Sequence, residues 1–343
     1  MAERSFAVVG AGVAGLSTAV ALLERGARVV GFAPARAADG PRTASGVAPA
    51  AFTPYPGADN DRLRAWSTAS FERFSHLART DPTAGMEIRE LREIFSRPFW
   101  TTPWLDDLLA ARALPTPPGW HAARTTLRPQ IDTDRYLPWL RARVLALGGS
   151  IQPRVVQSLD ALLDEGFAAV VNCAGLGART LASDTLVHPS RGQVVHVPNN
   201  LGLTASIHDD APDRGEGPGL VAYVFVFSDR LVLGGSFEPG VDGDQASEAQ
   251  TRGIIARCRE LLRADGHPRW AELGTTVLDV RAAARPTRVI GESSEMVRLE
   301  AQERHGGRVV HNYGHGRSGI TLSWGCAIET AERALIAAAG SPC

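Results

Sequence analysis

The sequence predicts an α/β protein in which a Rossmann-type nucleotide-binding domain is interleaved with an α+β domain built on a mainly antiparallel sheet. Three observations predict it. Residues 5–9 form a short apolar strand, residues 13–25 carry helical spacing ended by Gly26, and residues 27–32 form a second apolar strand. The run Gly10-Ala11-Gly12-Val13-Ala14-Gly15 occupies the turn between the first strand and the helix. Residues 222–227 and 230–233 are β-rich and joined by a short turn at Ser228-Asp229, as in an antiparallel pair.

Length supports two lobes, because 343 residues exceed the size at which single cores stop growing, about 250–300 residues. Thirty-six basic against thirty-seven acidic side chains leave a formal charge of −1, so no global field draws the chain to nucleic acid or an anionic membrane. A small metabolite is the expected partner. Cys173, Cys258, Cys326 and Cys343 have no paired spacing, which argues against a disulfide framework and a zinc cage and makes the cytoplasm the default location. The apolar stretch 6–23 is broken by glycines and lacks a cleavage site, so neither export nor a membrane span is expected.

Along the chain, residues 61–79 resume helical periodicity with Leu63, Trp66, Phe71, Phe74 and Leu77 inward. Seven prolines between positions 82 and 129 mark a loop-rich stretch. Residues 132–147 read as a helix with Asp132 as N-cap and Gly148-Gly149 as stop, followed by an apolar strand at 168–171. Residues 193–197 join the β-rich set, 248–264 read as a helix, and the chain closes with a strand at 308–311, a glycine loop and a helix at 320–339. The predicted division is discontinuous: 1–55, 130–190 and 285–343 for the nucleotide domain, 56–129 and 191–284 for the substrate domain.

In the G-x-G-x-x-G reading, Gly10 permits the turn, Gly12 lets the backbone approach a pyrophosphate, and Gly15 allows close helix–strand packing. Val13 and Ala14 open the helix, whose free amides and positive dipole end face the phosphates. Glycine-rich packing is the alternative. The acidic residue that usually holds a ribose would fall at positions 33–35 and is absent. Arg36 stands nearby, either at a phosphorylated ribose or as a loop cap.

Several later segments carry a family likeness. Asn172-Cys173-Ala174-Gly175-Leu176-Gly177, Arg191-Gly192-Gln193 and His311-Asn312-Tyr313-Gly314-His315-Gly316 resemble the FAD-dependent D-amino-acid oxidase family, and residues 47–55 and 131–140 look like its bacterial members. The likeness spans nearly the whole chain. It implies FAD as cofactor, with the loop 43–52 along the flavin ring: Thr43, Ala44, Ser45, Ala48, Ala50 and Ala51 are its candidate contacts. A glycine often found in the family is Ala50 here. Val155, Cys173, Ala174 and Gly175 complete the nucleotide side. Gly314, Gly316, Arg317, Ser318, Gly319, Ile320 and Thr321 would meet the pyrimidine end, where the following helix N-terminus stabilises negative charge by roughly 0.3–2 kcal/mol.

The same likeness implies oxidative deamination of a D-amino acid: hydride leaves the α-carbon for flavin N5, the imine hydrolyses to a keto acid and ammonia, and molecular oxygen becomes hydrogen peroxide. Orientation rather than a side-chain acid or base carries such chemistry. Tyr223 matches the register of the family's substrate tyrosine, with a sheet-capping core tyrosine as the alternative. The second tyrosine expected just before it is missing from residues 209–219, which points to a lid that is more open or differently closed. Arg285, before Pro286, is the expected carboxylate partner and also borders the cofactor, with Arg281 as runner-up and a surface arginine cluster as the plain reading. A guanidinium fork suits a planar carboxylate where lysine does not. Arg317 replaces a small residue and either favours an acidic substrate side chain or pairs with a surface carboxylate. His311 and His315 lack a third ligand, so no metal is expected.

Competing readings are a flavin oxidase of another amine or cyclic imino acid, an NAD-linked dehydrogenase, and a flavin-binding relative without turnover. A homodimer is compatible with all of them.

Overall fold

The computed structural model describes residues 5–35, 43–54, 60–98, 102–209, 221–290, 294–295, 297–304 and 306–339. Two sheets organise them. The first runs, in spatial order, Arg298–Arg304, Gly307–Tyr313, Ala169–Asn172, Ser5–Val9, Arg28–Ala33 and Ser150–Pro153. All neighbours are parallel except the edge pair Arg298–Arg304 and Gly307–Tyr313. Such a sheet is covered on both faces, which explains its apolar strands. On one face Phe6, Val8, Val171 and Val310 pack under the helices Val13–Leu23, Thr133–Ala146 and Ser323–Ala339. On the other, Ala7, Val9, Val170 and Val309 meet Leu159, Leu162 and Leu163 of the helix Leu159–Asp164.

The second sheet is antiparallel apart from the parallel pair Met86–Phe95 and Ser206–Asp209. Its order is Ser294–Glu295, Asp279–Ile290, Val187–Val197, Leu231–Gly234, Ala222–Val226, Ser206–Asp209, Met86–Phe95, Ala122–Ile131 and Ala50–Ala51. One face is closed by the helix Glu248–Ala264 through Ile254, Cys258, Leu261 and Leu262. The opposite face carries Val194, Phe225, Val232 and Ala283 against Val47 and Ala51 of the early loop.

Two departures from the expected layout have clear causes. The stretch 82–129, expected to be loop-rich, contains the ten-residue strand Met86–Phe95 and most of the ten-residue strand Ala122–Ile131. Its charges are paired across the ladder: Glu93 is buried and accepts from Arg124 and Arg128, both at 2.7 Å. Burial pushes the Glu93 carboxyl up, but the two guanidiniums outweigh it and hold it below the usual carboxylate range. The helix Asp61–Thr80, expected with the substrate lobe, buries Phe74 and Leu77 in the nucleotide-side core. A Cβ on Gly325 would strike the Trp66 backbone, so this helix lies directly on Ser323–Ala339.

The strand Asp279–Ile290 runs past residue 285 within the second sheet. Among the described residues, no helix is long and apolar enough to cross a membrane.

Candidate active site

The glycine turn is built for close approach. Gly10 adopts φ +111°, and a Cβ there would strike the Cys173 carbonyl. A Cβ on Gly15 would strike the Gly10 carbonyl. Gly12 is different: its backbone is extended, and a Cβ would meet only Ser45 Oγ, at 3.2 Å. The space above Gly12 is therefore open toward the helix N-terminus, whose first turn carries no acidic residue. Val13 N–H donates to Ser45 Oγ at 3.1 Å, which ties the loop to the helix. Thr43 caps the short helix Ala44–Val47 by accepting from Gly46 N–H at 3.1 Å.

Of the other nucleotide-side candidates, Cys173 and Ala174 border this turn. Cys173 is buried, its thiol pushed up to about 12 by burial. Ala174 N–H donates to Asn172 Oδ1, and Gly175 turns the chain at φ +59°. Val155 follows Ser150–Pro153, beside the end of Arg28–Ala33, with its side chain 59% exposed. Arg36 lies outside the described residues, as does 210–220, the stretch of the expected lid.

At the C-terminal end, Gly314 and Gly316 take φ +83° and +53°, and Gly319 follows the turn Gly316–Ser318. Ser318, Ile320 and Thr321 are buried. Thr321 Oγ1 accepts from Thr53 N–H at 3.1 Å, joining this loop to the early one; Ala48, Ala50 and Ala51 lie on the same early segment. Arg317 is exposed. His311 is held by Asn172 and Gln302, and among the described residues no group of three or more His, Cys, Asp or Glu side chains could hold a metal ion.

The second sheet supplies the facing wall. Arg281, Ala283, Arg285 and Thr287 alternate onto the face that carries Val194 and Tyr223. Arg285 reaches across the ladder so that its guanidinium fills the volume a Cβ on Gly192 would occupy, and Nη1 donates to the Ser236 carbonyl at 3.2 Å. The Tyr223 ring lies over its cross-strand partner Gly234 and beside Gly235. Both side chains thus converge on residues 234–236. Burial holds the Tyr223 phenol neutral, well above its ordinary range, against the opposing pull of Arg285.

Arg281 is placed elsewhere. It donates to Asp134 at 2.6 Å and to Asp279 at 2.7 Å, so two carboxylates already occupy its fork.

Sequence reasoning missed Gly192 and Gly234 as determinants and missed His208. Glycine inside a strand signals a close approach, and this was the readable sign for the first two. His208 lies directly across the ladder from Tyr223, with ring centroids 6.1 Å apart, and beyond it stands Glu93; only strand register reveals this row.

The residues fit a flavin dinucleotide. Of the three turn glycines only Gly12 leaves the cradle open, and three buried polar atoms on the Arg285 face find no partner among the described residues: Ser190 Oγ, Thr287 Oγ1 and His315 Nε2. Ser190 is the cross-strand partner of Arg285, and His315 bridges to Thr287. Buried polar groups are normally satisfied, so these three atoms are available to a bound group.

A parallel dinucleotide sheet joined to an antiparallel sheet with a converging arginine and tyrosine defines a two-lobed oxidoreductase. The model of the FAD dependent oxidoreductase family matches residues 5–333. D-amino-acid oxidase from Rubrobacter xylanophilus is 39% identical over 334 residues, covering 95% of this chain and 94% of that protein. Human D-aspartate oxidase is 32% identical over 349 residues, with 97% and 95% covered. Glycine oxidase from Bacillus cereus superposes with a TM-score of 0.73 at 18% identity, covering 97% of this chain and 95% of that one. The chain belongs to the FAD dependent oxidoreductase family; it is an FAD-dependent enzyme.

Proposed function

We propose that the protein oxidises a D-amino acid to the imino acid, which water converts to a keto acid and ammonia, with molecular oxygen reduced to hydrogen peroxide. The observation that carries this reading is the convergence of Arg285 and Tyr223 on residues 234–236, opposite the early loop. Bound FAD supplies the two-electron acceptor. Arg285 pairs with the substrate carboxylate through its fork, and the neutral Tyr223 hydroxyl donates to the same group. These contacts orient the α-hydrogen toward the cofactor. The names of relatives acting on D-amino acids and D-aspartate support the substrate class.

The assignment is tested by anaerobic reduction: the yellow holoenzyme mixed with single D- and L-amino acids loses its visible band with at least one D-isomer. A protein bleached only by NADH, or by no amino acid, overturns it. Within this reading Arg317, exposed on the loop after His315, favours acidic side chains. Arg317→Ala is expected to lower the rate on D-aspartate relative to D-alanine; unchanged relative rates discard that role.

A further inference from the structure

The early loop is backed by a group of paired charges that the proposed chemistry does not use. Arg230, one residue before Leu231–Gly234, donates to Asp132 and to Asp134, each at 2.9 Å. Arg281, on Asp279–Ile290, donates to the other Asp134 oxygen at 2.6 Å. Asp134 is therefore shared by two arginines, one just before Leu231–Gly234 and one on Asp279–Ile290. Asp134 itself sits in the first turn of Thr133–Ala146, a helix of the nucleotide-side core whose N-cap is Asp132.

Between this cluster and the loop lies a small cavity of about 10 Å³, with Gly46, Val47 and Pro49 on one side and Asp134, Arg230 and Arg281 on the other. Thr133 Oγ1 donates to the Ala48 carbonyl at 2.9 Å, so the helix start holds the loop directly. Arg281 precedes Arg285 by four residues on the same strand face. His196, the cross-strand partner of Asp279, faces both arginines. Burial and the two guanidiniums keep it neutral, with its pKa pushed down to about 4, so it does not compete for the carboxylates at neutral pH.

We propose that Asp134, gripped by Arg230 and Arg281, is a positioning clamp that, through the Thr133 contact to Ala48, holds the early loop around the short helix Ala44–Val47 in place beside the flavin and keeps Asp279–Ile290 in the register that presents Arg285. The part concerning Arg285 rests on the proposed function; the part concerning the loop is read from cofactor affinity alone. Removing one partner leaves the remaining charges of this partly buried cluster uncompensated.

The test uses Asp134→Asn, which keeps the volume and removes the shared charge, with Arg230→Met and Arg230→Lys as a second series. Apoprotein titrated with FAD is expected to bind about tenfold more weakly in Asp134→Asn and Arg230→Met, and the visible circular dichroism of bound flavin changes. At saturating FAD, KM for the amino acid rises about tenfold while kcat moves less. Arg230→Lys recovers only part of the lost affinity, because it keeps the charge and loses the fork. Glu260→Gln, which breaks an exposed helix pair with Arg263, leaves all three readouts unchanged.

Lower melting temperatures with FAD affinity, circular dichroism and KM all within about twofold of the parent overturn the clamp, leaving only structural ion pairs. A parent enzyme that no amino acid bleaches, combined with weakened FAD binding in Asp134→Asn, overturns the substrate reading and retains the loop half of the clamp.

Discussion

The Arg285 guanidinium occupies the volume that a side chain on Gly192 would need, so the glycine in the middle of Val187–Val197 is what lets the arginine reach across the ladder. Gly192→Ala is accordingly expected to displace the fork while leaving the sheet paired. KM should rise by about tenfold or more with FAD content and melting temperature nearly unchanged, a loss of about 1.4 kcal/mol or more of substrate binding. Steady-state kinetics and flavin absorbance check this.

Arg285 and Arg281 are separated by a direct comparison. Arg285→Lys loses the planar fork and is expected to lower kcat/KM by roughly two orders of magnitude, consistent with two charge-assisted hydrogen bonds. Arg281→Met removes a side chain already held by Asp134 and Asp279, so its principal effect is on FAD affinity. Equal losses of kcat/KM with normal FAD binding in both variants contradict this division.

The three turn glycines respond differently to alanine. Gly10→Ala and Gly15→Ala place a methyl group against backbone carbonyls and are expected to reduce soluble protein. Gly12→Ala has room except toward Ser45, so the apoprotein folds with nearly normal stability and FAD binds at least about tenfold more weakly, because the methyl group enters the pyrophosphate approach. Fluorescence titration of the apoprotein distinguishes the cases.

Stability is expected to depend on pH through three buried histidines. Burial pushes His196, His311 and His315 down to about 4 from an ordinary value near 6.5. Between these values the unfolded chain binds more protons than the folded one, so stability is fully present above about pH 6.5 and falls as pH drops toward 4. Each such proton contributes a slope of about 1.4 kcal/mol per pH unit. Urea unfolding at pH 7 and pH 5 measures it; equal stability at the two values removes the case for neutral buried imidazoles.

The N-terminal unit was readable because its periods are clean. The helix Val13–Leu23 and strand Arg28–Ala33 follow from apolar spacing and from Gly26, which turns at φ +78°. Asp132 was legible as a cap for the same local reason, and its side chain accepts from Asp134 N–H. The strands Met86–Phe95 and Ala122–Ile131 were not, because Glu93, Arg124 and Arg128 look like surface residues until pairing across the ladder brings them together. The family likeness singled out Arg285 and Tyr223. Their meeting at residues 234–236 depends on register between strands distant in sequence, which local pattern does not encode.

The strand Gly307–Tyr313 is wedged between Arg298–Arg304 and Ala169–Asn172, while Ser5–Val9 lies one place further in. A nascent chain leaving the ribosome therefore exposes the apolar edge of Ala169–Asn172 until more than a hundred further residues have been made. The long return connection is expected to make closure a late, slow event in folding. It also means that cutting the gene between the lobes yields two fragments, neither of which inherits a finished sheet.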